Sequence, residues 1–275
     1  MDFRFRKGCW RGRGRGIHIQ HFLQELVVGN IFAFLLIFMR FGTALMIMPG
    51  IGATFVPAQI RLLFALALSF VLTPVLAPHL PTIPENTSAF LALLISEAVI
   101  GFFIGTVMRI LVSALDTAGT IVSIQAGFSN ATLFNPAADA QGSIMSAVYS
   151  SLGVTIMLAA DLHHQMLAVV VDSYQLYPAN GVLLDMDTAS DTIGKIAAVA
   201  FKIGTQIAIP FLIVGTLVQM GFGVLGRLLP QVQVFFLAMP AQIFLSMLIL
   251  VLTLTAGIVY WLNGYETILS QALVP

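Results

Sequence analysis

Asp161, His163 and His164, in the stretch DLHHQ, have the side-chain types best suited to metal binding or proton transfer, with Asp172 further along. Ser129, in GFSNA, has the look of a nucleophile. Neither pattern supports catalysis. A nucleophile elbow needs a closing glycine and a strand–turn–helix setting, whereas position 131 is alanine and no alternating strand–helix pattern surrounds it. Adjacent histidines are expected on different faces of a helix, and no H-E-x-x-H spacing occurs. DLHHQ reads instead as an interfacial turn between two apolar segments. No G-x-x-x-x-G-K-[ST] sequence occurs and the chain has three lysines, which excludes nucleotide hydrolysis by the P-loop route. A lone Cys9 excludes an intramolecular disulfide and a cysteine metal cluster. No catalytic residue, cofactor or metal is expected.

The charges set in or beside apolar runs carry more information: Arg40, Glu97, Arg109, Asp116 and Lys202. Each would cost about 2.5–3.5 kcal/mol at mid-bilayer, so each is expected to face protein, water or a partner subunit. For Arg40, Arg109 and Lys202, snorkelling to an interface is an equal alternative. Arg109 and Asp116 stand seven residues apart and share a helix face, separated by roughly 10 Å along the axis. Gly101 and Gly105, in GFFIG, form a small-xxx-small pair that permits close helix packing.

These residues must be positioned by membrane helices. The 275-residue chain is 59% hydrophobic and 9% charged, with a mean hydropathy of +0.98. An ordinary soluble domain carries about 25% charged residues, so this is an integral membrane protein. Its fold class is all-α, because lipid demands an internally paired backbone. About six segments qualify: residues 26–48 interrupted by Arg40, 62–76, 89–111, 144–160 with a continuation at 166–171, 196–218 and 232–262. Several are poor spans. Residues 62–76 reach only about 22 Å against a ~30 Å hydrocarbon core and contain Pro74. Pro210 breaks the fifth, and the last, with Pro240, is over-long for one crossing. A body packed mainly against protein fits such segments.

The connectors predict boundaries. APHLPTIPENTS, residues 77–88, reads as an extended loop, and GFGVLGRLLPQ, residues 221–231, as a glycine-rich break. Thr188 and Asp191 have the spacing of a capping box, and Asp191 and Lys195 that of an i,i+4 pair. Residues 1–19 form a basic leader, disordered or preceding the native start, and residues 20–275 a single membrane domain. The leader could attract nucleic acid or lipid headgroups, but a topology signal is the plainer reading, and no nucleic-acid partner is expected.

One stretch stands apart. Thr117 to Ala138 is uncharged yet holds Gln125, Ser129, Asn130, Asn135 and Pro136. Irregular backbone at membrane depth survives only inside protein or beside water. With Gly119 and Gly127 loosening the flanks, and Phe128, Leu133 and Phe134 supplying bulk, the stretch suits an element that fills a wet lumen and moves aside. A static packing loop has the same composition.

QAGFSNATLFNPAADAQGSIMS resembles the central segment of the flagellar biosynthesis protein FliR family, subunits of the type III secretion export gate. FMRFGTALMIMPGIGATFVPAQIRLLFALALS, HHQMLAVVVDSYQLYPANG and GRLLPQVQVFFLAMPAQIFLSM resemble it in the same order, so the likeness runs from about Gln20 onward. The resemblance implies a non-enzymatic subunit that joins FliP and FliQ, and FlhB, in the inner membrane at the flagellar basal body, in contact with membrane lipid. Unfolded flagellar proteins would pass through the centre of that gate. It also implies that Asn130, Ala131, Thr132, Leu133, Phe134, Asn135 and Pro136 plug the closed pore, with Gly119, Gly127 and Phe128 as flanks or hinges. Arg40, Glu97, Arg109, Asp116 and Lys202 are then candidate inter-subunit contacts. A stand-alone secondary transporter with a broken-helix site, and the homologous gate subunit of a virulence injectisome, are the alternatives.

Overall fold

The computed structural model describes residues 13–53, 55–128, 143–180, 184–228 and 234–273, with side chains over 29–53, 55–128, 143–180, 184–228 and 238–269. Seven α-helices make up this part of the chain: α1 Arg13–Ile47, α2 Ala58–Leu76, α3 Thr87–Gln125, α4 Ile144–Ala159, α5 Leu162–Leu176, α6 Met186–Leu228 and α7 Val234–Leu273. A short 3-10 turn, Ala77–His79, follows α2, and no strand occurs among the described residues. Five helices are long and apolar enough to cross a membrane, or six if α4 and α5, bent by 77° at their junction, count as one broken span. This agrees with the segments expected from hydropathy.

Helix α3 is the central post, with α1, α4 and α6 packed around it and α7 laid mainly against α6. Three glycines set the spacing. A Cβ at Gly101 would collide with the Arg40 carbonyl and Thr43 Oγ1, and one at Gly105 would stand 2.9 Å from the Ala44 carbonyl, so α1 and α3 touch backbone to backbone. This is the close packing that small-xxx-small spacing allows. Gly204 of α6 makes the same approach to the Ala114 carbonyl on α3, 2.5 Å from where its Cβ would be. Around these contacts Phe41, Leu45, Ile104, Met108, Leu115, Tyr149, Phe211, Trp261 and Tyr265 are fully buried. The Trp261 indole donates to the Leu111 carbonyl at 3.0 Å, so its one polar atom is satisfied in the core.

The observed helices outrun the expected ones in informative places. Pro74, Pro210 and Pro240 all lie inside continuous helices. The expected break at Pro210 is therefore not found; one lost backbone bond does not end a long apolar helix supported by its neighbours. The expected glycine-rich break gives way over residues 221–228, because α6 continues to Leu228 with Gly221, Gly223 and Gly226 facing open space; residues 229–231 lie outside the described residues. Residues 117–125, grouped with the irregular stretch on composition, are the last turns of α3. Thr117 and Thr120 return their hydroxyls to the carbonyls of Ser113 and Asp116, at 3.0 and 2.8 Å, which keeps polar side chains compatible with helix. At the start of α6 the cap is Asp185 and not the Thr188–Asp191 box: its carboxylate accepts from the backbone N–H of Asp187 and of Thr188, at 3.4 and 3.3 Å. The Asp191–Lys195 pair forms as its spacing suggests, at 2.6 Å on the surface.

Candidate functional site

Two polar assemblies stand out in a chain with so few charges. The first is built on Arg40, which α1 places at the point where α3 and α5 converge. Arg40 and Glu97 are both wholly buried. The guanidinium donates to the two carboxylate oxygens of Glu97 at 2.7 and 2.8 Å, to Ser173 Oγ at 3.1 Å and to the Tyr177 carbonyl at 2.9 Å. Its carbon lies 3.8 Å from the centre of the Tyr174 ring. Such bidentate, charge-assisted pairing with further acceptors is what lets a buried arginine persist. Gly101, one turn beyond Glu97, admits α1 closely enough for Arg40 to reach. Both charges are consumed within the chain, so the expectation that they reach out to another subunit is replaced by an internal clamp on three helices.

The second assembly lies where α3 ends and α4 begins. Gly127 has φ +80°, the left-handed conformation that closes a helix. Phe128 N–H returns to the Ser123 carbonyl at 3.1 Å and Gly127 N–H to that of Ile124 at 3.2 Å, a complete Schellman stop. Phe128 packs, half-buried, on the main core. At the far side, Ser143 caps α4 by accepting from Ser146 N–H at 3.3 Å, and donates to the Gly119 carbonyl of α3 at 3.4 Å. Gly119 was expected to loosen this region, but a Cβ there would stand 2.4 Å from Ser146 Cα, so it is a tight α3–α4 contact inside a continuous helix. Gly127 likewise stops α3 in a defined geometry. Asn130, Ala131, Thr132, Leu133, Phe134, Asn135 and Pro136 lie outside the described residues, between these two fixed ends.

Asp116 belongs to the same junction. Its carboxylate accepts from Ser146 Oγ at 3.0 Å and from Ser150 Oγ, both on α4, while the side chain stays exposed. At the end of α3, Gln242 of α7 donates to the Gln125 carbonyl at 2.6 Å. Arg109 and Lys202 are exposed on α3 and α6 and have no ion-pair or hydrogen-bond partner among the described residues.

Asp161, the first residue of DLHHQ, sits at the α4–α5 elbow with φ 58°. The rings of His163 and His164 lie side by side, 4.1 Å apart, where different faces were expected. Donor atoms of Asp161, His163 and His164 all come within 4.8 Å of one another, with Asp161 and His164 exposed. Asp172 is half-buried on α5, away from this turn in sequence. Ser173, Tyr174, Ser146, Ser150 and Gln242 had no distinguishing signal in the sequence. They are ordinary polar residues whose role appears only once distant helices converge.

A family model described as "Bacterial export proteins, family 1" matches residues 31–268. The chain is 33% identical over 241 residues to the flagellar biosynthetic protein FliR of Caulobacter vibrioides, a match covering 88% of this chain and 96% of that one. It is 26% identical over 236 residues to the protein of the same name from Bacillus subtilis, covering 85% and 90%. It is also 25% identical over 232 residues to the Yop proteins translocation protein T of Yersinia pestis, covering 84% and 88%.

Proposed function

The chain belongs to the bacterial export proteins, family 1, and from that membership we propose that it is a subunit of a type III protein export gate in the bacterial inner membrane, of the flagellar kind. The observation that carries the reading is the family match, which spans both polar assemblies, the whole of α2 to α6 and parts of α1 and α7. In this reading the chain assembles with FliP and FliQ, contacts FlhB and membrane lipid, and forms part of the path taken by unfolded flagellar proteins. It performs no catalysis. Asn130 to Pro136 act as the stopper of the closed path, and the mechanism is conformational: the stopper prevents leakage at rest and yields to cargo.

The anchors of residues 129–142 support that role. A Schellman stop before them and a serine cap after them, tied together through Gly119, provide a stiff frame from which a short segment can be displaced and recovered. The similarity to a Yersinia pestis translocation protein favours one second reading, a gate subunit whose cargo is not flagellar. Deleting the gene, restoring it and scoring flagellin export decides between the two. Isolation of the tagged chain from membranes tests the wider proposal: co-purification of other gate subunits is expected. A chain that transports solute alone in vesicles, with no associated subunits, would sink it.

A further inference from the structure

The exposed faces of a membrane-embedded helix sort by chemistry, because lipid accepts apolar side chains and rejects charge. Helix α2 turns Leu63, Phe70 and Val71 outward, and α7 turns Phe244, Val251 and Leu252 outward. Helix α3 changes character along its length. Its open line starts apolar, at Ile95 and Phe102, continues through Arg109, Ser113, Asp116 and Thr120, all exposed or half-exposed, and ends on the exposed Ile124. Helix α4 extends the polar surface sideways with Ser151 and Thr155, both exposed, and is joined to Asp116 through Ser146 and Ser150.

Lipid cannot cover this face at hydrocarbon depth. Arg109 and Asp116 are separated by about 10 Å along the helix, too far for a direct pair, and each would carry its own transfer cost. A permanent protein interface is also a poor match. Such interfaces are built on several buried aromatic or arginine anchors with donors aimed at the partner, and this face offers Arg109 alone among the described residues. Here the hydroxyl donors are turned back on their own helices: Ser113 to Ile110 O at 2.7 Å, Thr120 to Asp116 O at 2.8 Å, Ser151 to Val148 O at 3.1 Å and Thr155 to Ser151 O at 2.8 Å. What remains is a mainly polar surface, bounded by the exposed Ile124 and Ile144, with little to grip.

We propose that this α3–α4 face is a wall of the aqueous path, and that the succession of Arg109 and Asp116 keeps the wall electrically neutral toward an extended polypeptide. The proposal rests on the export-gate reading. The two opposite charges stand about one Debye length apart, so a cargo charge near the wall feels one sign at a time, and neither over more than about 10 Å. An extended chain advances at most ~3.3–3.6 Å per residue, so a charged cargo side chain meets both signs within about three residues. Neither acidic nor basic cargo segments are held. Arg109 is the sensitive position, since it is exposed and has no ion-pair or hydrogen-bond partner among the described residues.

The test uses the assembled gate, with Cys9→Ser as background. Thr120→Cys and Thr155→Cys are exposed to a membrane-impermeant maleimide, beside Phe70→Cys and Leu252→Cys as lipid-side controls. The wall positions are expected to react on the order of tenfold faster or more, because only they are wetted. Protection of both wall positions in the intact assembly, through burial under a partner subunit or in lipid, overturns the proposal. Arg109→Glu then gives the wall a single sign, and export of a basic cargo is expected to slow relative to an acidic cargo of the same length. Equal slowing of both overturns the neutrality argument. Co-purification and secretion are scored first on each variant; if the unmodified chain fails those, the gate reading itself falls, whatever the labelling shows.

Discussion

Arg40 and Glu97, 57 positions apart, meet through two parallel hydrogen bonds of 2.7 and 2.8 Å with neither side chain reached by solvent. Their pairing fixes how α1 stands against α3. The added bonds from Arg40 to Ser173 and the Tyr177 carbonyl bring α5 into the same arrangement, across sequence separations of 133 and 137. Removing one partner differs sharply from removing both.

Glu97→Ala leaves the arginine charge buried and uncompensated, and is expected to cost about 3–5 kcal/mol. The folded yield in mild detergent and the thermal midpoint should both fall. The double replacement Arg40→Leu with Glu97→Leu should recover part of the loss, since paired burial by apolar groups is often tolerated. Single and double variants of equal stability would show that the pair does not act as a unit.

Gly101→Ala places a methyl group against the Arg40 carbonyl and Thr43 Oγ1. Overpacking of this kind costs roughly 1–3 kcal/mol and should separate α1 from α3. Gly194→Ala, on α6 with nothing within 4 Å, should instead stabilise by about 0.5–1 kcal/mol through helix propensity. The two substitutions are chemically identical. Thermal unfolding should move in opposite directions.

Asp185 gives a dependence on pH at the aqueous start of α6. Its hydrogen bonds from the Thr188 side chain and backbone hold the carboxyl below its ordinary value. A depressed folded-state pKa contributes stability that is present above the unfolded value of about 3.9 and is lost as pH falls through the lower folded value. Amide exchange at the α6 N-terminus should therefore be insensitive to this group between about pH 5 and 8 and rise below about pH 4. Asp185→Asn should remove that acid-dependent step.

Deleting Asn130 to Pro136 should leave the gate assembled, because the two framing ends at Phe128 and Ser143 are held by contacts outside the deletion. Membranes carrying the shortened chain are expected to leak small ions. A gate containing the shortened chain and tight to ions would argue against the stopper.

Hydropathy located the membrane segments because burial in lipid is a property of composition averaged along a run. It overstated the breaks at Pro210 and over Gly221 to Leu228, since the tolerance of a helix for proline and glycine depends on what supports it and not on local residue type. Glu97 and Arg40 were legible as charges needing a partner; that each was the other's partner depended on α1 and α3 approaching at Gly101. Gly119 was misread for a related reason. Glycine serves both flexible and tightly packed sites, and only the position of Ser146 tells which applies here. The elbow at Asp161 was recognisable as a turn, whereas its 77° angle and the close approach of two neighbouring histidine rings were not.

Helices α3, α6 and α7 contain 39, 43 and 40 residues. At 1.5 Å per residue each measures roughly 60 Å, about twice the ~30 Å oily layer available to it. Standing upright, such rods would project far into water with apolar flanks bare, and no ordinary tilt absorbs the surplus. Such surplus length calls for cover by neighbouring protein, and a copy made without neighbours is expected to be the one lost to aggregation or proteolysis.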